Sequence, residues 1–225
     1  MDQSLITFHN PKSPESEAYR MLRTNLGFTG VDKKHKVILV TSSKQQEGKS
    51  TTASNLAIAF AQNENKVLII DCDLRRPKLH KLFDIDNLSG LTNILTKDYE
   101  VDHMINHCTD ILTLDIITSG QIPPMPSELL DSKKMQKLIL ELRLEYDYII
   151  MDTPPILSVS DATILSRIVD GVILVVASND THIEAIATAK RALDKVDANI
   201  IGTVLTKTKK GRRSANYYYN YADDK

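Results

Sequence analysis

Apolar residues fall into short unbroken runs, separated by polar loops and by stretches of helical period. Val37 to Val40, Val67 to Ile70, Thr113 to Thr118, the run ending at Asp152, Gly171 to Ala177 and Ile200 to Leu205 read as strands. Several are apolar from end to end, as strands buried on both faces of a sheet are. Between them lie helical patterns: Ser50 onward, with Leu56, Ala57, Ala59 and Phe60 on one face; Ser127 to about Glu145, with Met135, Leu138 and Leu142 inward; and His182 to Val196. Pro14-Glu15-Ser16-Glu17 opens an earlier helix, because proline suits the first turn and acids suit the positive end. Strands alternating with helices predict an α/β fold in one domain, a mostly parallel sheet with helices on both faces.

The remaining stretches are less regular. Residues 1 to 13 are polar and read as a flexible start, 14 to 208 as the domain, and 209 to 225 as a flexible tail. Residues 79 to 112 read as short helical pieces and turns, with Gly90 a stop. His103, His107 and Cys108 fall there at helical spacing, but with no further ligand nearby they read as ordinary surface or core residues. Pro123, Pro124 and Pro126 forbid regular structure before the helix at Ser127.

Candidate chemistry gathers after the strands. Between the first strand and its helix, Gly48-Lys49-Ser50 closes a phosphate-binding turn: backbone N–H groups at a helix start face an anion, and the dipole adds positive charge. Lys49 can reach terminal phosphates and Ser50 can offer its hydroxyl to Mg²⁺. The loop is incomplete, because Ser43 stands where glycine is usual. Asp71 and Asp73, followed by Arg75 and Arg76, sit at the end of the second strand, and Asp152 ends another; open α/β sheets bind ligands at such ends. On the early helix Glu17, Arg20 and Arg23 share a face, either as a solvated salt-bridged surface or as a contact between subunits.

Composition narrows the classes. A net charge of −1 gives no argument for nucleic acid or anionic membrane, and two cysteines cannot build a disulfide framework, which suits a reducing cytosol. No apolar run approaches the ~18 residues that suggest a spanning helix, and the N-terminus lacks the layout of a signal peptide. Of eight tyrosines, Tyr217, Tyr218, Tyr219 and Tyr221 crowd the last nine residues with almost no aliphatic neighbour. They cannot form a core strand, and read either as a chance aromatic bias or as a substrate.

With these motifs in order, and SGQIPPMPSELL between them, the chain resembles the bacterial tyrosine kinases. The resemblance is to the cytoplasmic catalytic proteins of capsule or exopolysaccharide synthesis, and it runs from about residue 13 to the end. It implies a P-loop NTPase-like fold and an ATP-dependent protein-tyrosine kinase using Mg²⁺. Lys49, Asp71, Asp73 and Asp152 would be catalytic, with Ser50, Asp73 and Asp152 holding the metal. Ser43, Lys44, Glu47, Gly48, Lys49, Ser50 and Thr51 would bind nucleotide. Glu17, Arg20 and Arg23 match a helix through which such domains assemble into a ring. Tyr217, Tyr218, Tyr219 and Tyr221 match an autophosphorylated cluster. The implied partners are a transmembrane activator of the polysaccharide chain-length regulator type, which recruits a cytoplasmic kinase to the inner face of the plasma membrane, and a cognate tyrosine phosphatase. No nucleic acid is expected.

A phenol with a pKa near 10 needs a base or metal assistance at neutral pH. Asp71 is the candidate, with Asp73 close behind. Thr206 and Lys207 stand where related ATPases often carry an adenine-contacting asparagine. The competing reading is a partitioning ATPase of the same superfamily. Lys44 sits where those proteins carry a second lysine, and there water receives the phosphoryl group. A third is a nucleotide-dependent adaptor whose tyrosines another enzyme modifies.

Overall fold

The computed structural model describes residues 1–29, 35–97 and 99–208. Seven strands form one sheet: β1 (Val37–Ser42), β2 (Val67–Asp71), β3 (Asn106–His107), β4 (Leu114–Ile117), β5 (Tyr148–Asp152), β6 (Gly171–Ala177) and β7 (Ile200–Thr206). Their order is β3-β4-β2-β5-β1-β6-β7, and every pairing is parallel except β3 with β4. The chain builds outward from β1 to one side as far as β3, returns to β5, then crosses β1 to β6. That reversal leaves a crevice at the carboxyl ends of β1, β2 and β5, where this class of sheet takes its ligands.

Strand residues alternate between two cores. Val37 and Leu39 of β1 and Leu68 and Ile70 of β2 face one side, joined by Leu138, Ile139 and Leu142 of the helix Lys133–Glu145. Ile38, Val40, Val67 and Ile69 face the other, against Leu56, Ala57 and Phe60 of the helix Lys49–Ala61. Both sets are fully covered, so the central strands are apolar throughout. The Phe60 ring stacks on Tyr148 with centroids 3.9 Å apart. Among the described residues no helix is long and apolar enough to cross a membrane.

Three expectations need correction. Residues 1 to 13 do not stand loose: a short helix, α1 (Ile6–His9), forms there and Leu5 is fully buried. The Thr7 N–H donates to the Asn55 side chain at 2.9 Å, and Asn55 in turn donates to the Ser4 carbonyl. The helix read from Ser127 to Glu145 is two, Pro126–Leu130 and Lys133–Glu145, because the Ser132 hydroxyl caps the second by accepting from the Met135 N–H. His103, His107 and Cys108 share no helix face: His107 lies on β3 and bonds Asp115 of β4 at 2.7 Å. The 16-residue helix Pro14–Thr29 forms as read, packed on Lys49–Ala61.

Candidate active site

β1 runs into the loop Ser43–Gly48 and then into Lys49–Ala61. Gly48 has φ 90° and its Cα faces the Thr206 methyl, which a Cβ would meet at 3.3 Å. Only glycine takes that φ without cost, so the turn into the helix needs it. Ser43, where glycine is usual, is fully buried and donates to both carboxylate oxygens of Glu47 at 2.9 Å. The fully buried Glu47 also accepts from the Lys44 N–H at 2.9 Å and from the Thr181 hydroxyl. The Thr206 hydroxyl donates to the Glu47 carbonyl at 2.6 Å. A buried carboxylate with three donors thus replaces the flexibility of a glycine-rich loop by a fixed shape. Lys44 does not face the cavity but donates to the Asp180 carbonyl at 2.8 Å, and Lys207 pairs with the Asp180 carboxylate.

Above the loop the sheet brings the acids together. Asp71 and Asp152 are neighbours in the register of β2 and β5. The Lys49 ammonium lies 3.1 Å from Asp73, 3.4 Å from Asp152 and 3.2 Å from the Ser50 hydroxyl. Asp71 accepts from the N–H groups of Lys78 and Leu79, each at 2.9 Å, and from that of Asp73 at 3.2 Å. Asp73 accepts from the Arg76 N–H at 3.0 Å.

Three buried carboxylates share one ammonium. Burial, then the charge of Asp152, pushes the Asp71 carboxyl up to about 7. Burial likewise raises Asp152, against the pull of Lys49. For Lys49 burial works to lower the pKa, and the surrounding Asp152, Asp73 and Asp71 outweigh it and raise it. One oxygen of Asp152, Oδ2, is buried with no hydrogen-bond partner. Excess negative charge and an unmet acceptor fit a divalent cation. Among the described residues no three acidic, His or Cys side chains converge as a direct ligand set.

A cavity of about 410 Å³ opens over this cluster, lined by Gly48 to Thr51 of the loop, Asp73, Arg75 and Arg76, and Pro154 and Pro155 after β5. Of the residues read from the sequence, Gly48, Lys49, Ser50, Thr51 and Asp73 line this pocket, while Asp71 and Asp152 are fully buried and do not line it, Asp152 touching Lys49. Ser43 and Glu47 lie beneath it as supports. The reading placed Arg75 in the candidate chemistry but missed its link to Asp161 and Ser127: Arg75 donates to both oxygens of the fully buried Asp161 at 3.0 and 3.3 Å and to Ser127 at 2.8 Å. That triad ties the turn after Asp73 to the proline-rich segment. Neither Arg75 nor Asp161 has a partner close in sequence, so no local pattern announces it.

Glu17, Arg20 and Arg23 stand apart from this pocket. Arg20 pairs with Glu17 at 2.6 Å and also donates to the Pro11 carbonyl, while Arg23 donates to the Ala59 carbonyl at 2.9 Å. Tyr217, Tyr218, Tyr219 and Tyr221 lie outside the described residues.

Comparison with known proteins agrees with this geometry. The family described as an AAA domain matches residues 35–204. The chain is 43% identical over 224 residues to the tyrosine-protein kinase YwqD of Bacillus subtilis, covering 100% of this chain and 94% of that one. To the putative tyrosine-protein kinase CapB of Staphylococcus aureus it is 38% identical over 220 residues, 98% and 96% of the two chains. The crystal structure of the chimerical protein CapA2B2 superposes with a TM-score of 0.89 at 37% identity, over 93% of this chain and 92% of that one.

Proposed function

The chain belongs to the bacterial tyrosine-protein kinases, and we propose that it passes the terminal phosphoryl group of ATP to the tyrosines of its own C-terminal cluster, presented by a second copy. The observation that carries this reading is the set of three acids around Lys49, with one oxygen of Asp152 unpartnered beside the phosphate loop.

Phosphoryl transfer asks a protein mainly for positioning and charge neutralisation. Ser50 and Asp152, with Asp73, would hold Mg²⁺, which when bound spreads and neutralises charge on the phosphate oxygens. Lys49 now serves as counter-ion to Asp73 and Asp152, and turns to substrate phosphates once those carboxylates are otherwise engaged. Asp71, raised to about 7 and fixed by three N–H donors, would accept the phenol proton. Gly48, Ser50 and Thr51 supply the start of a helix toward which the phosphates point; Ser43, Glu47 and Thr206 fix the loop's shape, and Lys44 anchors it to the segment after β6.

From Thr206 to Tyr217 is eleven residues, a reach of at most roughly 37 Å, enough to cross to a neighbouring subunit. Glu17, Arg20 and Arg23 form the contact that would build such a ring. The tail from 209 onward carries five cations against two carboxylates. Each phosphate adds about −1.5 to −2, so modification of four tyrosines reverses its sign and loosens the ring. The function served is capsular or exopolysaccharide synthesis and export, with a transmembrane activator recruiting the kinase to the membrane and a tyrosine phosphatase resetting it. The chosen experiment is incubation of the purified chain with ATP and Mg²⁺ followed by peptide mass spectrometry. Phosphotyrosine between residues 217 and 221 supports the reading. Release of ADP without it supports the partitioning-type ATPase, and neither product supports the adaptor.

A further inference from the structure

Beyond Asp73 the chain passes through Arg75, Arg76 and Pro77 into the short helix Leu79–Phe83, and this turn borders a second hollow of about 480 Å³. The hollow shares Arg75, Arg76 and Lys78 with the nucleotide cavity and adds His80 and Lys81, with Gly120 to Ile122 opposite. Among the described residues no acidic side chain lines it; Asp84 and Asp86, which follow the helix, are not part of the wall. Arg75 is spent on Asp161 and Ser127, but among the described residues the Arg76 guanidinium donates to the neutral Gln45 side chain at 2.8 Å and makes no ion pair. Lys78 and Lys81, three residues apart at the start of the helix, are exposed and make no ion pair with any described residue. His80 has a buried ring nitrogen, Nδ1, with no partner. Exposed Ile122 offers an apolar contact on the facing wall.

A basic hollow that begins at Lys78, whose N–H holds the Asp71 carboxylate, is one residue from the catalytic acids. The chain's own tail reads Tyr221-Ala222-Asp223-Asp224, so two carboxylates follow the last tyrosine by two and three residues. Extended, that offset is about 7–10 Å. We propose that this hollow docks carboxylates lying C-terminal to an acceptor tyrosine, and that its first occupant is Asp223 and Asp224 of a second copy. The inference rests on the kinase reading above and gives it a substrate preference: tyrosines followed closely by acidic residues. Charge pairs of this kind fix register and select partners more than they add affinity.

The test uses the full chain with its own tail neutralised by Asp223→Asn and Asp224→Asn, and labelled peptides of residues 215–225. Fluorescence anisotropy should show the natural peptide binding roughly tenfold more tightly than its D223N/D224N form. Lys78→Glu with Lys81→Glu should erase that preference, and a D223K/D224K peptide should bind this variant better than it binds the parent, which a misfolded variant cannot produce. Transfer from ATP to the same peptides, measured in parallel, should differ in KM and not in kcat. Equal affinity for all peptides overturns the docking inference whatever the transfer result. Loss of binding to phosphatidylglycerol vesicles in the lysine variant, with peptide affinities unchanged, overturns it too and assigns the hollow to a membrane. A preserved peptide preference with no phosphotyrosine formed supports the docking site and removes the kinase reading instead.

Discussion

Replacing Glu47 by alanine should disable the phosphate loop without touching a group that faces the nucleotide. The carboxylate accepts from the Ser43 hydroxyl at 2.9 Å on both oxygens, from the Lys44 N–H at 2.9 Å and from the Thr181 hydroxyl. Hydrogen bonds to a charged group contribute about 1.5–3 kcal/mol each, and a buried donor left unmet costs about 1–3 kcal/mol. Lys44 and Thr181 are half-buried and can turn to water, whereas Ser43 is fully buried and cannot. Most of the loss therefore comes from Ser43, and a total of about 3 kcal/mol is reasonable. If the loop melts locally, that figure appears as roughly hundredfold weaker nucleotide binding. If the loop stays docked, it appears as a fall of about 6–12 °C in Tm for a domain of this size. Calorimetric titration with a non-hydrolysable ATP analogue and a thermal scan read the two shares. Glu47→Gln, which keeps the length and one carbonyl acceptor, should lose about tenfold in affinity. Wild-type affinity together with an unmoved Tm in Glu47→Ala would refute the assigned role.

Three further outcomes follow from other parts of the molecule. Gly90→Ala places a Cβ 2.2 Å from the Thr118 carbonyl oxygen and 2.6 Å from the Gly120 nitrogen; backbone atoms cannot step aside, so urea unfolding should show a loss of about 3 kcal/mol. Asp170 holds Arg143 at 2.9 and 3.1 Å and accepts from the N–H groups of Lys36 and Val37. Burial alone would raise its pKa, but Arg143 and those N–H groups outweigh it and hold it low. Its contribution is therefore whole above the usual carboxylate value of about 4 and disappears as pH falls through the lower folded value. Asp170→Asn should cost stability at pH 7 and progressively less in acid, and a loss independent of pH would count against the clamp. In the nucleotide-free chain, the Asp71 carboxyl followed by carbon-13 NMR should titrate at about 7 and move down when Mg²⁺ is added; titration near the ordinary value before magnesium would exclude a raised base.

What the sequence made legible were the parts whose signal is local. The runs at Val37, Val67 and Gly171 are apolar on both faces because helices cover both, and the acids that end β2 and β5 mark the crevice. The loop was legible at Gly48-Lys49-Ser50, but the purpose of Ser43 was not. Its partner Glu47 is near in sequence, yet Thr181 and Thr206, which complete the support, arrive from beyond β6 and from the end of β7. Distance in sequence also hid Arg75 with Asp161, and His107 with Asp115. The split before Lys133 was a contest between two local signals: apolar spacing continues across Asp131 and Ser132, and the serine cap prevailed. At the N-terminus a segment as short as Leu5 to Phe8 carries too little periodicity to announce a helix, and its burial comes from Asn55 and the helix beneath it.

Transfer between copies is tested directly by a mixing experiment. An acceptor chain disabled by Lys49→Met, isotopically heavy and with its tail intact, is combined with a light active chain ending at residue 208 and with ATP and Mg²⁺. Phosphotyrosine on the heavy tail between residues 217 and 221 is the predicted result. An unmodified heavy tail, under conditions where the intact active chain modifies itself, would contradict it.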